Sequence, residues 1–219
     1  MTPRRYVSPV RTAAAEEKRG QVLAAAARLL REGAIADFSM EAVAKLAGVT
    51  RLTVYRQFAS RHGLLEAVFD DRAEAGGLHD IPRAMAIPDP RAGIECLIVI
   101  FCTFWSSDEA VGRVNDAMAS DPELAQALAE RNERRRRTMS TLVGRIAPKA
   151  DAAKHRDAVD LLFGLTSYAM FGLLRPGRRQ DEICGLVTSA CMRVINGLIE
   201  PEPITRQQGF DRDAPTDPH

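Results

Sequence analysis

FSMEAVAKLAGVTRLTVYRQFASRHGLL, residues 38–65, reads as two short helices joined by a tight turn and running into a third. Ser39 is a side-chain N-cap, and Glu41 adds negative charge in the first turn, where unpaired backbone N–H groups favour it. Met40, Val43, Ala44 and Ala47 recur at i, i+3, i+4 and i+7, one apolar stripe that ends at Gly48. Thr50 offers a second cap two residues later, and Val54 and Phe58 lie one turn apart on the buried side of the helix it opens. Helices joined so closely must cross steeply.

The opposite side of that second helix carries Arg51, Leu52, Tyr55 and Arg56, with Thr53 beside them. A guanidinium can bind guanine edgewise in a major groove, an apolar side chain can touch a thymine methyl, and Tyr or Thr hydroxyls can reach phosphates. This surface suits double-stranded DNA better than it suits water.

These residues resemble the N-terminal pattern of the TetR-type transcriptional regulators. The pattern is a hydroxyl cap (Ser39), an apolar pair (Val43-Ala44), Ala47-Gly48-Val49, Thr50, two variable residues, Thr53-Val54-Tyr55, and Phe58 after two more, followed by a polar helix start at Ser60-Arg61. Three departures stand out: Gln57 where His or Tyr is common, Arg61 for a usual Lys, and His62-Gly63 for a usual acidic pair. Arg61 keeps a positive charge, whereas Gly63 is expected to loosen the start of its helix. The resemblance implies a homodimer that binds a palindromic operator through two such helices and is released by a small molecule bound in the body. It assigns DNA contacts to Ser39, Thr50, Arg51, Leu52, Thr53, Tyr55, Arg56, Gln57 and Arg61, with Arg51 reading a base and Tyr55, Gln57 and Arg61 holding phosphates.

Charge is distributed accordingly. Residues 1–65 hold 11 Lys and Arg against 5 Asp and Glu, and residues 66–219 hold 19 against 24, so a net charge near zero conceals a basic end and an acidic body. The N-terminus lacks the apolar core of a signal peptide, and the run Ile94 to Trp105 is too short to span a bilayer, so a cytoplasmic protein without membrane contact is expected. Cys96, Cys102, Cys184 and Cys191 show no metal-ligand spacing and read as buried free thiols.

The periodicities predict an all-α chain: a disordered basic arm (1–12), a three-helix DNA-binding domain (13–59), a connecting helix (60–77), a ligand-binding and dimerisation domain (78–200), and a disordered tail (201–219). Pro82, Pro88 and Pro90 mark residues 78–90 as a linker. Arginines 131 and 134–137, interleaved with Glu130 and Glu133, read as a solvated helix face. One continuous helix is expected from Asp151 to Pro176, and its segment from Asp160 to Tyr168 resembles the penultimate helix of TetR-type regulators. The last two helices carry apolar stripes suited to a four-helix dimer interface, through Leu165, Ala169, Leu173, Val187, Ala190, Val194 and Leu198. Phe101, Phe104, Trp105, Met118, Phe163, Tyr168 and Phe171 are the expected walls of a pocket for a mostly apolar effector, with Glu95, Thr103 and Asn115 as polar groups. Scattered histidines and the lack of a nucleophile–base set or ligand cluster argue against an enzyme, a metal or a cofactor. A body that binds a protein partner instead of a small molecule is the alternative.

Overall fold

The computed structural model describes residues 9–33 and 35–199, with side chains from residue 13. Residues 1–8 of the basic arm and the tail, 201–219, lie outside the described residues. All regular elements described are helical: α1 (Pro9–Glu32), α2 (Met40–Ala47), α3 (Arg51–Phe58), α4 (Arg61–Ala75), α5 (Ile81–Ala86), α6 (Pro90–Ser107), α7 (Glu109–Ser120), α8 (Pro122–Ile146), α9 (Ala152–Leu165), α10 (Tyr168–Leu174) and α11 (Gln180–Ile199), with single 3₁₀ turns before α2 and α5.

Local chemistry sets most of the boundaries. Asp89, Asp108, Asp121 and Asp151 cap α6, α7, α8 and α9 by accepting from backbone N–H groups, and Pro90 and Pro122 occupy first turns where a missing N–H costs nothing. Pro9 opens α1 by the same rule, four residues before the expected start. The expected linker at 78–90 is instead largely helical, because Pro82 falls in the first turn of α5 and leaves its hydrogen bonds intact.

The expected single helix after Asp151 is broken at Thr166-Ser167, and its halves, α9 and α10, are bent by 52°. Ser167 caps α10 through Met170 N–H, and the Thr166 carbonyl accepts from Trp105 Nε1 at 3.0 Å. That tertiary hydrogen bond fixes the break.

α1, α2, α3 and the start of α4 close the N-terminal domain around Leu23, Ala26, Leu30, Val43, Val54 and Phe58. The body is centred on α6, whose buried residues run from Gly93 to Trp105, with α7, α8, α9 and α11 packed about it. α11 is long and apolar enough to cross a membrane by composition alone, but Ile183, Val187, Cys191 and Ile195 are buried inside the chain, where the helix packs along α6 and α9.

Candidate nucleic-acid interface and effector cavity

The helix pair is built as its caps require. Ser39 accepts from Ala42 N–H, Gly48 takes a left-handed φ of 66° that closes α2, and Thr50 accepts from Thr53 N–H to open α3. Thr50 and Thr53 are further joined, hydroxyl to hydroxyl, at 2.8 Å. Val54 and Phe58 are buried, which turns Arg51, Leu52, Tyr55 and Arg56 outward together. Leu52 is 57% exposed, an apolar side chain held in water among arginines. Arg51 Nη2 donates to Tyr55 Oη at 3.2 Å, with the guanidinium 5.2 Å from the ring centre, so the two side chains are preordered as one unit.

Two residues assigned to phosphates are placed differently. Arg61 donates to the carbonyls of Phe38 and Ile35, lies over the Phe38 ring and sits 3.6 Å from Asp121. Its charge is used inside the chain, tying the start of α4 to the entry of α2. Gln57 is half-buried, and its Oε1 is enclosed without a partner.

The α3–α4 junction explains Gly63. Ser60 N–H donates to Phe58 O at 2.7 Å around Ala59, whose φ of 62° and ψ of −42° form a γ-turn that strains an L-residue. A Cβ at Gly63 would lie 2.2 Å from the Phe58 carbonyl oxygen. Glycine therefore permits the close approach, and its N–H is held by the Ser60 cap at 3.0 Å, so the helix start is tight where looseness was expected.

In the body, a cavity of about 430 Å³ lies between α4, α5, α6, α7 and α8. Phe101, Phe104 and Trp105 line it as expected, joined by Phe69, Leu78, Ile81 and Leu128. Met118 and Phe171 are buried away from it, Phe163 packs beneath Arg135 and Arg136, and Tyr168 stands behind Trp105 at 5.5 Å between ring centres. Tyr168 fits there because residue 112 is glycine: a Cβ would fall 1.9 Å from the phenol oxygen. Of the expected polar groups, Asn115 lines the cavity, while Glu95 and Thr103 are exposed and absent from its walls. Arg131, Arg134 and Arg135 also line it, so the run expected to be solvated is in part a cavity wall. The signal was present: Leu124, Leu128, Arg131, Arg135, Met139 and Leu142 follow one another at steps of three or four, and the arginines take two places in an otherwise apolar stripe.

Residues 22–68 match the family model for bacterial regulatory proteins of the tetR family. Those residues form a TetR-type helix-turn-helix DNA-binding domain. It is 25% identical over 194 residues to the HTH-type transcriptional regulator EthR of Mycolicibacterium smegmatis, covering 84% of this chain and 88% of that protein. Among solved structures, FadR of Bacillus subtilis, crystallised with stearoyl-CoA, superposes with a TM-score of 0.68 at 16% identity, over 82% of this chain and 98% of that one. The Streptomyces coelicolor TetR-family regulator SCO4454 gives 0.67 at 18% identity, over 84% and 97%.

The TetR-type domain is fastened to the body by the caps at the two ends of α7. Asp108 receives Arg31 of α1 at 2.6 Å and Arg72 of α4 at 3.1 Å. Burial pushes the Asp108 carboxyl up, but the Ala110 N–H and the two guanidinium groups outweigh it and hold it below the usual carboxylate range. Asp121 lies 2.9 Å from His62, whose other ring nitrogen is 2.7 Å from Glu123. Asp70 of α4 receives Arg131 at 2.9 Å, which ties the connecting helix to a wall of the cavity.

The outer face of α9, α10 and α11 differs from the expected stripe in one respect. Leu173 is 76% exposed and Ala169 is exposed, with Leu165, Ala190, Val194 and Leu198 half-buried, but Val187 is only 3% exposed within its own chain and has no surface to offer. Leu161, Leu186 and Ile199 stand out on the exterior instead. α11 is apolar on two sides, and periodicity alone does not say which side its own core covers. The Cys102 and Cys191 thiols are each pushed up to about 12, chiefly by burial, so little reactive thiolate forms at neutral pH.

Proposed function

We propose that the protein is a ligand-released repressor: a homodimer whose two α3 helices enter successive major grooves of a palindromic operator, and whose cavity takes a small, mostly apolar effector. The observation that carries this reading is the position of α4. Its N-terminus follows the recognition helix through the strained Ala59 turn, and Phe69, Asp70 and Ala73 farther along it form a cavity wall. A molecule seated in the cavity therefore presses on the element that holds α3. Half-sites one helical turn apart demand a separation of about 34 to 36 Å between recognition helices, so a small rotation of α4 in each subunit lowers affinity. The cavity volume lies in the usual range for small-molecule sites, roughly 300 to 1,000 Å³, and supports a small molecule over a protein partner.

Leu161, Leu173, Leu186 and Ile199 supply an apolar exterior that a second copy would cover. Operator DNA and cytoplasmic location follow from the same reading, with Arg51, Leu52, Thr53, Tyr55 and Arg56 at the groove and the Ser39 and Thr50 caps near phosphates. The test is an operator selected from a random DNA pool, then titrated with protein in the presence of candidate apolar compounds. Compounds that shift Trp105 fluorescence should lower operator affinity at least tenfold. A set of cavity ligands that leaves affinity unchanged refutes the release mechanism.

A further inference from the structure

The effector cavity is apolar on one side and cationic on the other. Phe69, Phe101, Phe104, Trp105 and Leu128 face it from α4, α6 and α8, while α8 also brings Arg131, Arg134 and Arg135. Arg131 is matched by Asp70 and by Glu66. Among the described residues, no carboxylate lies within ion-pairing distance of Arg134 or Arg135.

Arg135 is the unusual member. Its guanidinium stands 3.9 Å from the Phe163 ring centre and 5.4 Å from that of Phe101. Nη2 donates to Phe163 O at 2.9 Å and Nη1 to Thr166 O at 3.3 Å, carbonyls at the end of α9, the second of which also accepts from Trp105 Nε1. Nε is shut off from water and has no partner. A guanidinium offers five N–H donors, so two are used and the charge itself is met only by carbonyl dipoles and ring faces. Burial, and then the charge of neighbouring Arg136, push Arg135 down to about 10, which leaves it cationic at neutral pH. Capping α9 accounts for the two carbonyl bonds. It does not account for a full positive charge beside a cavity, where a neutral amide could make the same bonds, nor for a second unmatched arginine at position 134.

We propose that the cavity takes an apolar-bodied organic anion, its acidic head held by Arg135 and Arg134 and its body laid against Phe69, Phe101, Phe104 and Leu128. Planar guanidinium groups bind carboxylate and phosphate oxygens in pairs of charge-assisted hydrogen bonds, and a head group there would match the charge that the fold leaves open. The apolar wall sets the body; the arginines set the head. The inference rests on reading the cavity as the effector site.

Trp105 is the chain's single tryptophan and lines the cavity, so its fluorescence reports occupancy directly. The experiment titrates the full chain with dodecanoate, dodecyl phosphate and dodecanol, and with 2-naphthoate and 2-naphthylmethanol as a rigid pair. Each acid should bind at least tenfold tighter than its alcohol, and the better of the two dodecyl anions identifies the head group. Arg135→Gln with Arg134→Gln should bring acid and alcohol within threefold, chiefly through a loss of at least threefold in the acid's affinity. Should the double variant fail to fold by circular dichroism, Arg134→Gln alone must reduce the acid preference at least threefold. Equal binding of acid and alcohol by the wild type overturns the anion proposal and leaves the effector site standing. No response to any of the five compounds overturns both.

Discussion

α3 and α8 are both arginine-bearing helices, and the structure uses their arginines in opposite ways. On α3, Arg51 and Arg56 lie across the helix from buried Val54 and Phe58, so packing forces them into water. On α8, Arg131 and Arg135 occupy the same stripe as buried Leu124, Met139 and Leu142, so packing draws them in. Angular position relative to the apolar stripe decides the role. Charge density does not: the run on α8 is the denser of the two, yet Arg131 and Arg135 within it are drawn inward while Arg134 and Arg137 stay exposed.

The comparison breaks most sharply under truncation to alanine. Arg135→Ala removes two hydrogen bonds to helix-end carbonyls and the packing of its guanidinium against the Phe101 and Phe163 rings. We expect a loss of about 2 to 4 kcal/mol of stability, measured by urea denaturation. Arg51→Ala touches nothing buried and should change stability by less than about 0.5 kcal/mol, while costing about 1 to 3 kcal/mol of operator affinity and relaxing preference at one base pair. Equal effects of Arg51→Ala on selected and random DNA would remove its base-reading role, and a fully stable Arg135→Ala would mean that its side chain is not packed as described.

What could be read from the chain divides along the same line. Caps are local chemistry, so Ser39, Thr50, Asp89, Asp108, Asp121 and Asp151 announce their helices without knowledge of the fold. The helix-turn-helix is legible because its caps, glycine and apolar stripe fall within 28 residues. The break between α9 and α10 is hidden, because Thr166 and Ser167 are tolerable within a helix and the bond that selects the break comes from Trp105 on α6. Arg61 has the right charge for a phosphate, and only the positions of Phe38 and Ile35 show that the charge is used internally. A cavity is a volume left unfilled by several helices, and no single periodicity records it. Phe101, Phe104 and Trp105 were visible because they cluster on α6; Phe69 and Leu128 were hidden because they read as ordinary stripe residues on their own helices.

Between the two regions stands Asp108, which sharpens the comparison from a third side. Asn caps helices as well as Asp does, so Asp108→Asn keeps the start of α7 and removes only the charge that holds Arg31 and Arg72. We expect a loss of about 1 to 2 kcal/mol at pH 7, since both partners are partly solvated. The folded carboxyl lies below its ordinary value, so its contribution is present above the unfolded pKa, roughly 3.9, and is lost as pH falls through the folded value. Wild type and Asp108→Asn should therefore differ in urea midpoint at pH 7 and converge in strong acid. A gap that persists below pH 2 would assign the effect to packing and not to charge.

The smallest expected effect separates two arginines five residues apart that face the same end of the molecule. Arg56 is exposed on α3 with its charge available, whereas Arg61 donates to two carbonyls and lies near Asp121. Arg56→Ala should weaken binding to all sequences alike and reduce the slope of log affinity against log salt by about 1, the release of one counterion's worth of contact. Arg61→Ala should leave that slope unchanged and instead lower stability by about 1 kcal/mol, because the two carbonyls it serves can turn to water at a partly exposed site. Salt titrations of both variants on one random duplex, with denaturation curves alongside, decide the matter. If Arg61→Ala flattens the salt dependence as Arg56→Ala does, then its guanidinium leaves the carbonyls of Phe38 and Ile35 on binding and reaches a phosphate, and the internal tie belongs to the free protein alone.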